Sequence, residues 1–436
     1  MRTASSSPSG FRRPASTVAP LKVLLVTRHF PPGGGGGVQR PLKFATHLPA
    51  LGIETHVLAP DVAGSVPDEE LELPTQAWIH RVRYVGPRAG RPSEQLLDKQ
   101  GVSRLGTQAA LLGRKLLVPD ENAPWSTLAT PTAIRLVRSE GIDVVLTTSP
   151  PPSLHLLGAA VKRTTGAAWV ADLRDPLTSH PHRRGNESQL ARLKEKTTGG
   201  VGKLVASQAN AIVAVSEAIA EEMRALGPKG RLVTISNGCD FDDFACLAHR
   251  ESNRLRITHA GHFHGRRDPK PFLRALADSG LDDVVARFAG DFRAADREYA
   301  ESLGLGDRIE FLGDVSRRRS LELQRDSEAL LLLIPESGGR GKGVLTGKIF
   351  EYLAAERPIL AVVPPDGAAA ELVRETGAGM VVSSDDEGAI REALLDLHRR
   401  WKAGSLDGTP LSDEWRKKLS RSERVEELAD LLRSLA

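Results

Sequence analysis

The strongest constraint on the fold is a pattern of strand, glycine turn and helix that begins near residue 21. A short apolar segment, 21–26, is followed by the glycine run Gly33 to Gly37, then by an amphipathic segment, 38–48, and by a second apolar segment, 53–59. Short apolar runs are typical of parallel strands that are covered on both faces. In this order the elements form a βαβ unit, the first part of a doubly wound sheet.

The same alternation continues along the chain and then starts afresh. In the first half, further strands are predicted at 143–148, 168–172, 211–215 and 232–235. Helices are predicted at 153–163 and after Ser216, which we expect to cap its helix. The second series has predicted strands at 255–260, 284–289, 309–312, 329–334 and 359–363, and helices at 270–278, 316–324, 347–355 and 368–376. The predicted fold class is α/β, with two Rossmann-like doubly wound domains facing a cleft, where the carboxyl ends of the strands bind ligands.

The two series divide the 436 residues into two domains with short additional segments. Residues 1–20 are rich in Ser, Pro and Arg and are predicted to be a disordered tail. The predicted domains are 21–248 and 255–405, joined by a polar linker at 249–254. Residues 406–436 are predicted to form helices that cross back to the first domain.

Composition excludes several classes of protein. The 59 Lys and Arg residues exceed the 55 Asp and Glu residues by four, which is too small an excess to argue for nucleic-acid binding. No run of about 18 apolar residues predicts a transmembrane helix, and no apolar leader segment is visible. Two cysteines cannot build a disulfide framework, so we expect a cytoplasmic protein.

Two glycine loops are candidate anion sites. Gly33 to Gly37 precedes a helix, whose N-terminus offers free N–H groups to phosphate or sugar oxygens. A dinucleotide site is disfavoured because no acidic residue ends the following strand. In the second half, Gly261 is followed by Arg266 and Arg267, whose guanidinium groups suit a diphosphate. A flexible turn and a solvated basic turn are the alternatives that the two motifs leave open.

The segment 343–355 is the motif that is most informative about the ligand. A glycine-containing loop with Thr346 and Gly347 runs into a helix that carries Lys348 and Glu351 on one face. A carboxylate there can accept both hydroxyls of a ribose, while the helix N-terminus and Lys348 face a diphosphate. The segment is not a P-loop, since Ile349 follows the lysine where Ser or Thr is required. A surface ion pair between Lys348 and Glu351 is the alternative interpretation.

Metal binding is disfavoured by the spacing of candidate ligands. His259, His262 and His264 lie close together in sequence, but no cysteine or acidic residue with ligand spacing lies near them. Asp240 and Asp242 form a D-x-D sequence, a pattern in which two carboxylates can hold a divalent cation. We expect no metal and no cofactor.

Taken in order, the motifs resemble those of GT-B glycosyltransferases of family 4. The resemblance covers residues 21 to about 398, and single motifs are weaker than the ordered set. The matching segments are 26–34, Asp172-Leu173-Arg174-Asp175-Pro176, 214–217, Ser236-Asn237-Gly238-Cys239-Asp240 ending at Phe244, 261–267, 311–313 and 348–359. Asp240 belongs to one of these motifs, which weakens the alternative that the D-x-D sequence is the cation site of a metal-dependent GT-A glycosyltransferase.

The resemblance implies a retaining, metal-independent glycosyltransferase that moves a hexose-type sugar from a nucleotide-diphosphate sugar to a glycan, lipid-linked or small-molecule hydroxyl. The C-terminal domain would bind the donor and the N-terminal domain the acceptor. The residues that the resemblance assigns to catalysis are Arg267, Lys348 and Glu351. Those assigned to donor binding are Gly33, Gly34, Gly261, Arg266, Gly313, Asp314, Thr346 and Gly347, and Arg174 and Asp175 lie on the acceptor side.

Two positions depart from the family pattern and leave alternatives open. Gly343 stands where the first Glu of the E-x7-E motif is usual, and Arg174 stands where many members have His. Both changes resemble a subgroup with a K-x-x-E-Y-L-A signature and indicate altered donor choice or lost activity. The alternatives are a nucleotide-sugar epimerase of the same fold and a catalytically silent nucleotide-sugar-binding relative.

The segment 104–118 offers a hypothesis about membranes. It carries Arg104, Arg114, Lys115 and several leucines but no acidic residue. Such a segment could lie on the inner membrane surface near a lipid-linked acceptor, or it could be a helix packed on the N-terminal sheet. We therefore expect a cytoplasmic protein, and we hypothesise that it also contacts the inner membrane surface peripherally.

Overall fold

The computed structural model describes residues 19–61, 68, 70–85, 117–177, 189–263, 267–336, 341–408 and 410–436. Within these residues, two parallel sheets follow each other along the chain, one of seven strands and one of six. The segment 104–116 of the membrane hypothesis lies outside the described residues, as do residues 1–18, His264 and Arg266. None of the described helices is long and apolar enough to cross a bilayer.

The first sheet has the strand order β3-β2-β1-β4-β5-β6-β7. Its strands are β1 (Lys22–Thr27), β2 (Glu54–Pro60), β3 (Trp78–Val82), β4 (Val144–Ser149), β5 (Ala168–Leu173), β6 (Ala211–Ala214) and β7 (Arg231–Thr234). Its helices are α1 (Gly36–His47), α2 (Ala123–Glu140), α3 (Ser153–Thr165), α4 (Gln189–Gln208) and α5 (Glu217–Ala225). The order reverses between β1 and β4, so this is a doubly wound sheet with its switch point at β1.

The second sheet has the order β10-β9-β8-β11-β12-β13 and reverses between β8 and β11. Its strands are β8 (Leu255–Ala260), β9 (Val284–Ala289), β10 (Ile309–Gly313), β11 (Ala329–Leu333), β12 (Ile359–Val362) and β13 (Gly379–Val382). Its helices are α6 (Lys270–Asp278), α7 (Ala294–Ser302), α8 (Arg317–Arg325), α9 (Gly347–Ala354), α10 (Ala368–Thr376) and α11 (Glu387–Lys402). The two doubly wound units confirm the predicted fold class.

The end of the chain returns to the first sheet. Helix α12 (Asp413–Leu419) is followed at once by α13 (Arg421–Arg433). Where the two helices meet, the chain pairs with the segment after β7: the Cys239 N–H donates to the Leu419 carbonyl at 2.9 Å, and the Arg421 N–H donates to the Cys239 carbonyl at 3.0 Å. The apolar face of α13, which includes Leu428, is buried in the same core cluster as the strand residue Val23.

One local prediction is wrong. Ser216 precedes α5 as expected, but its side chain makes no capping hydrogen bond. Among the described residues, its buried hydroxyl has no hydrogen-bond partner. The first acidic residue of the helix, Glu217, instead accepts hydrogen bonds from Arg224 at 2.8 Å and from Thr234 at 2.9 Å.

Candidate functional site

Glycine loops follow the strand at the switch point of each sheet. In the second sheet this strand is β8, and its loop begins with Gly261 at a φ of 131°. A Cβ atom at Gly261 would lie 2.2 Å from Cε of Lys348. Only glycine tolerates both this backbone conformation and this close approach. The β8 loop and the start of α9 therefore meet in one place.

Arg267 is held in this loop by backbone carbonyls. Its Nε donates to the Leu333 carbonyl at 3.1 Å and its Nη1 to the His262 carbonyl at 2.8 Å. The residue is 7% exposed, and burial lowers the pKa of its guanidinium. A buried cation that is bonded to neutral carbonyls keeps its charge for an anionic ligand.

Lys348 lies in the first turn of α9 and has an unusual environment. Burial, followed by the charge of Arg267, lowers the pKa of its ammonium to about 7. Within the described part of the chain, no ion pair neutralises Lys348. Two buried cations close enough to influence each other, one of them without an ion pair among the described residues, make this corner suitable for an anion.

Glu351 lies one turn further along α9 and does not pair with Lys348. Its Oε1 accepts a hydrogen bond from Arg317 Nη1 at 2.7 Å, and its Oε2 accepts one from Gln324 Nε2 at 3.2 Å. The surface ion pair that the sequence offered as an alternative is therefore wrong. The structure places Glu351 beside α8, and the carboxylate is 19% exposed.

The start of α9 has open space in front of it. A Cβ atom at Gly347 would have no neighbour within 4 Å, so the helix N-terminus is not covered at that point. The Thr346 hydroxyl is buried, and none of the described residues forms a hydrogen bond with it. Free N–H groups at a helix start attract anions.

Gly313 and Asp314 lie at the end of β10, close to the β8 loop. Gly313 has a φ of 64°, and its carbonyl accepts a hydrogen bond from the Gly290 N–H at 2.7 Å. Asp314 Oδ1 is 2.7 Å from Nε2 of His262, and both side chains are about half exposed. The structure brings this end of β10 to the loop that carries Arg267.

On the opposite side, Gly33 and Gly34 belong to the loop between β1 and α1. The Gly33 N–H donates to the Phe30 carbonyl at 3.2 Å, which closes a turn. Arg174 fixes the far end of the loop, because its Nη1 donates to the Gly37 carbonyl at 2.6 Å and its Nε to the Ser149 carbonyl at 3.0 Å. The arginine that replaces the usual histidine thus joins the ends of β4 and β5 to the glycine loop.

His29 is a residue that the sequence analysis missed in this region. Burial, then the charges of Arg174 and Arg28, lower the pKa of its imidazole to about 3. The ring is therefore neutral at ordinary pH and can accept or donate one hydrogen bond. A Cβ atom at Gly37 would lie 3.4 Å from the His29 ring. The glycine run provided no signal for this histidine.

The motif Asp172 to Asp175 has a fully buried residue, Asp172, and a half-buried one, Asp175. Asp172 is fully buried and forms a bidentate ion pair with Arg40, in which Nη2 of Arg40 lies 2.8 Å from Oδ1 of Asp172. The Thr148 hydroxyl donates a hydrogen bond to Oδ2 of Asp172 at 2.6 Å. Asp175 follows Arg174, and its charge opposes the lowering of the Arg174 pKa that burial causes. Asp172 therefore supports the end of β5, and Asp175 remains the candidate for ligand contact.

Gly343 contacts the N-terminal domain. A Cβ atom at this position would lie 2.3 Å from Cβ of Ala218, in the first turn of α5. The loop before α9 therefore packs closely against the first domain, and a glutamate side chain does not fit there in this arrangement. This contact is a physical reason for the missing first Glu of the E-x7-E motif.

The residues considered for a metal have other roles where they are described. His259 is fully buried, its Nδ1 lies 2.9 Å from the Leu331 carbonyl oxygen, and burial, then Lys348, hold the pKa of its ring well below the usual value. Asp240 pairs with Arg421 at 3.2 Å and with Lys43 at 3.4 Å. Among the described residues no group of three His, Cys, Asp or Glu side chains could hold a metal ion.

The two doubly wound units correspond to a GT-B fold. The model of "Glycosyltransferase Family 4" matches residues 34–243, and that of "Glycosyl transferases group 1" matches residues 254–400. The chain belongs to the family 4, group 1 glycosyltransferases. No curated protein sequence is significantly similar to it.

Several solved structures have a fold similar to that of this chain. Sucrose-phosphate synthase from Thermosynechococcus elongatus is 14% identical, with a TM-score of 0.68 over 95% of this chain and 99% of that one. HepE from Anabaena, in complex with UDP and glucose, is 15% identical, with a TM-score of 0.60 over 95% and 100%. A UDP-GlcNAc 2-epimerase from Methanocaldococcus jannaschii is 13% identical, with a TM-score of 0.51 over 95% and 99%.

Proposed function

We propose that the protein is a retaining, metal-independent glycosyltransferase that transfers a hexose-type sugar from a nucleotide-diphosphate sugar to a hydroxyl group of a glycan, a lipid-linked molecule or a small molecule. The observation that carries the proposal is the pair of buried cations, Lys348 and Arg267, beside the open N-terminus of α9. The complex of the similar HepE with UDP and glucose supports a nucleotide sugar as the ligand class.

In the proposed donor complex, the diphosphate lies between Lys348, Arg267 and the N–H groups near Thr346 and Gly347. Arg266, the residue before Arg267 in the sequence, is assigned to the diphosphate by the family resemblance. Glu351 accepts the ribose hydroxyls, and Gly313 and Asp314 line the base pocket. Because protein cations take up the diphosphate charge, this site needs no bridging metal.

In the reaction, the bond between the anomeric carbon and the diphosphate oxygen breaks, and its electron pair stays on the diphosphate. The acceptor oxygen forms the new bond on the same face of the sugar, and its proton passes to the leaving diphosphate. Lys348 and Arg267 stabilise the negative charge that develops on the leaving group, which is the main catalytic effect we expect.

The acceptor enters from the N-terminal side in this proposal. Gly33 and Gly34 border the transferred sugar, and Arg174 holds the ends of the surrounding strands. Asp175, which is half-buried, is assigned to the acceptor or sugar side by the family resemblance. A lipid-linked acceptor would bring the protein to the inner membrane face, whereas a small-molecule acceptor would leave it in the cytoplasm.

The test is incubation with a panel of labelled nucleotide sugars, with and without acceptors, in the presence of EDTA. Free nucleoside diphosphate together with a glycosylated product is expected, and the product should keep the anomeric configuration of the donor. The matched control is Lys270→Met, since Lys270 lies in α6 and its ammonium group lies over the Tyr299 ring. Lys348→Met should abolish transfer, and Lys270→Met should not.

The same panel separates the two alternatives. Isomerised donor without an acceptor would indicate an epimerase, an activity that the similar fold of the Methanocaldococcus jannaschii enzyme brings into consideration. Tight donor binding with neither transfer nor isomerisation would indicate a silent relative. If Glu351→Ala bound donor as tightly as the unmodified protein, the assignment of the ribose site would be wrong.

A further inference from the structure

Arg317 joins the candidate donor site to two other parts of the chain. It is the first residue of α8, and no motif drew attention to it. Its Nη1 donates to Glu351 Oε1 at 2.7 Å, and its Nη2 donates to Asp243 Oδ2 at 2.8 Å. Its backbone N–H donates to Asp68 Oδ2 at 3.1 Å. One residue thus binds carboxylates from α9, from the segment after β7 and from the N-terminal domain.

The environment favours a charged and immobile guanidinium. The Arg317 side chain is 16% exposed. Burial alone would lower its pKa, but the carboxylates of Glu351 and Asp243 raise the pKa above the usual value. Removing one partner from such a pair leaves an uncompensated charge, so the geometry of the cluster is strongly maintained.

The position of Glu351 depends on this cluster. Arg317 binds one of its oxygens and Gln324 the other, so the carboxylate is fixed on both sides. Two further lone pairs of a carboxylate stay available for donors such as the hydroxyls of a ribose. A fixed carboxylate loses less conformational entropy when it binds a diol than a freely rotating one does.

Asp68 brings the first domain into the same cluster. It follows β2, and its own backbone N–H donates to the Pro32 carbonyl at 2.9 Å. Pro32 directly precedes the glycine loop of the proposed acceptor side. A chain of hydrogen bonds therefore runs from that loop through Asp68 to the start of α8, and from there to Glu351.

We propose that Arg317 is a positioning residue that holds Glu351 for the ribose hydroxyls of the donor, and that Asp68 supports it from the opposite domain. This inference rests on the proposed function, because it assumes a ribose-containing ligand at Glu351. The inference adds that the affinity of the donor site depends on Asp68, a residue of the domain that does not bind the nucleotide.

The first test compares a ribonucleoside diphosphate with its 2′,3′-dideoxy analogue by calorimetry, using the base that binds most tightly in a panel. The unmodified protein should prefer the ribo form by about tenfold or more, as expected for hydrogen bonds to a charged group. Arg317→Met should lose most of this preference. Arg317→Lys, which keeps a charge but has no planar group to bind both Glu351 and Asp243 in the same way, should retain part of it.

A purely structural role would give a different result. If Arg317→Met weakened both ligands by the same factor and kept the preference, the positioning role would be overturned. If the unmodified protein bound no nucleotide at all, the proposed function itself would fail, which is a separate result. Thermal unfolding of each variant identifies those that do not fold.

The second test concerns the opposite domain and does not require a change in α8 or α9. Asp68→Ala should lower the affinity for the ribonucleotide severalfold and reduce the preference over the dideoxy analogue. The matched control is Glu70→Ala, because Glu70 lies in the same segment and is exposed. Equal affinities of Asp68→Ala and the unmodified protein would overturn the support from the first domain.

Discussion

Lys348 illustrates how burial alters the chemistry of a single side chain. Its ammonium lies against Gly261 and near Arg267, and its pKa of about 7 means that part of the population is neutral at ordinary pH. The charges that face it from the neighbouring elements are those of Arg267 and Glu351, and His259 is neutral because its own pKa is low. A bound diphosphate favours the ammonium form, so it should raise the lysine pKa.

This leads to a prediction about pH. Below about pH 7, Lys348 is already charged, and donor binding takes up no proton there. As the pH rises above 7 the free protein loses this proton, so donor binding must restore it, and the affinity falls by at most about tenfold per pH unit. Calorimetry with a nucleotide sugar in two buffers of different ionisation enthalpy measures the uptake.

The control for the pH prediction is Lys348→Arg. A guanidinium stays charged over this range, so the variant should bind donor without proton uptake near pH 8. Proton uptake of the same size in the unmodified protein and in this variant would assign the titration to another group.

Gly343 gives a prediction about packing between the domains. Gly343→Ala places a methyl group 2.3 Å from Cβ of Ala218, so one of the two elements must move. We expect a destabilisation of about 1–3 kcal/mol, as for other overpacked sites. Gly347→Ala, four residues away with open space around it, should be neutral or slightly stabilising. Denaturant unfolding compares the two, and equal effects would contradict the close contact.

At the scale of elements, α9 is attached to β8 by one buried hydrogen bond. The Tyr352 hydroxyl oxygen accepts from the Ala260 N–H at 2.9 Å, and Tyr352 is fully buried. This bond fixes the distance between the helix that carries Lys348 and the strand that leads to Gly261. The diphosphate corner therefore depends on an interaction outside the corner itself.

Tyr352→Phe removes this hydrogen bond and should lower the free energy of unfolding. The buried Ala260 N–H would remain without a partner, which costs about 1–3 kcal/mol of unfolding free energy. Donor affinity should fall as well, because α9 is no longer held. Tyr299→Phe is the matched control, since the Tyr299 hydroxyl bonds only to the exposed Arg274 side chain among the described residues. Equal losses in both variants would contradict this role.

Sequence periodicity predicted the central elements well and the peripheral ones poorly. The bounds of β8, β9, α6 and α10 agree with the prediction at both ends, because strands buried on both faces and strongly amphipathic helices have clear patterns. The edge strand β3 was missed, since it is half-exposed and contains His and Arg. Helix α2, with an internal proline, and α4, with Gly199 to Gly202, also lack a clear helical pattern.

The site could be predicted only as far as local motifs extend. Spacing indicated Lys348 and Glu351 because both lie on one short helix. It could not indicate Arg317, which lies 34 residues before Glu351, or Arg40, which lies 132 residues before Asp172. Contacts of this kind depend on the order of the strands in the sheet, and that order cannot be predicted from a single sequence.

At the scale of the whole molecule, α13 stabilises a domain from which it is distant in sequence. Leu428 is fully buried in the cluster formed with β1, β2 and α1. Leu428→Ala should destabilise the protein by about 2–5 kcal/mol, as for other buried leucines. Leu193→Ala is the control, because Leu193 is 48% exposed and should cost little. Chemical denaturation measures both, and a small effect at Leu428 would contradict its place in the core.

The position of α13 also has a consequence for biosynthesis. The ribosome produces β1 to β7 first, yet the helix that completes their core lies at 421–433. The central cluster of the second sheet, drawn from residues 255–406, is fully synthesised before that helix emerges. Nascent domains commonly fold in the order in which they are made. Here this core cluster of the later domain can form first, while the earlier domain keeps part of its apolar surface uncovered and open to chaperones until residues 421–433 have been made.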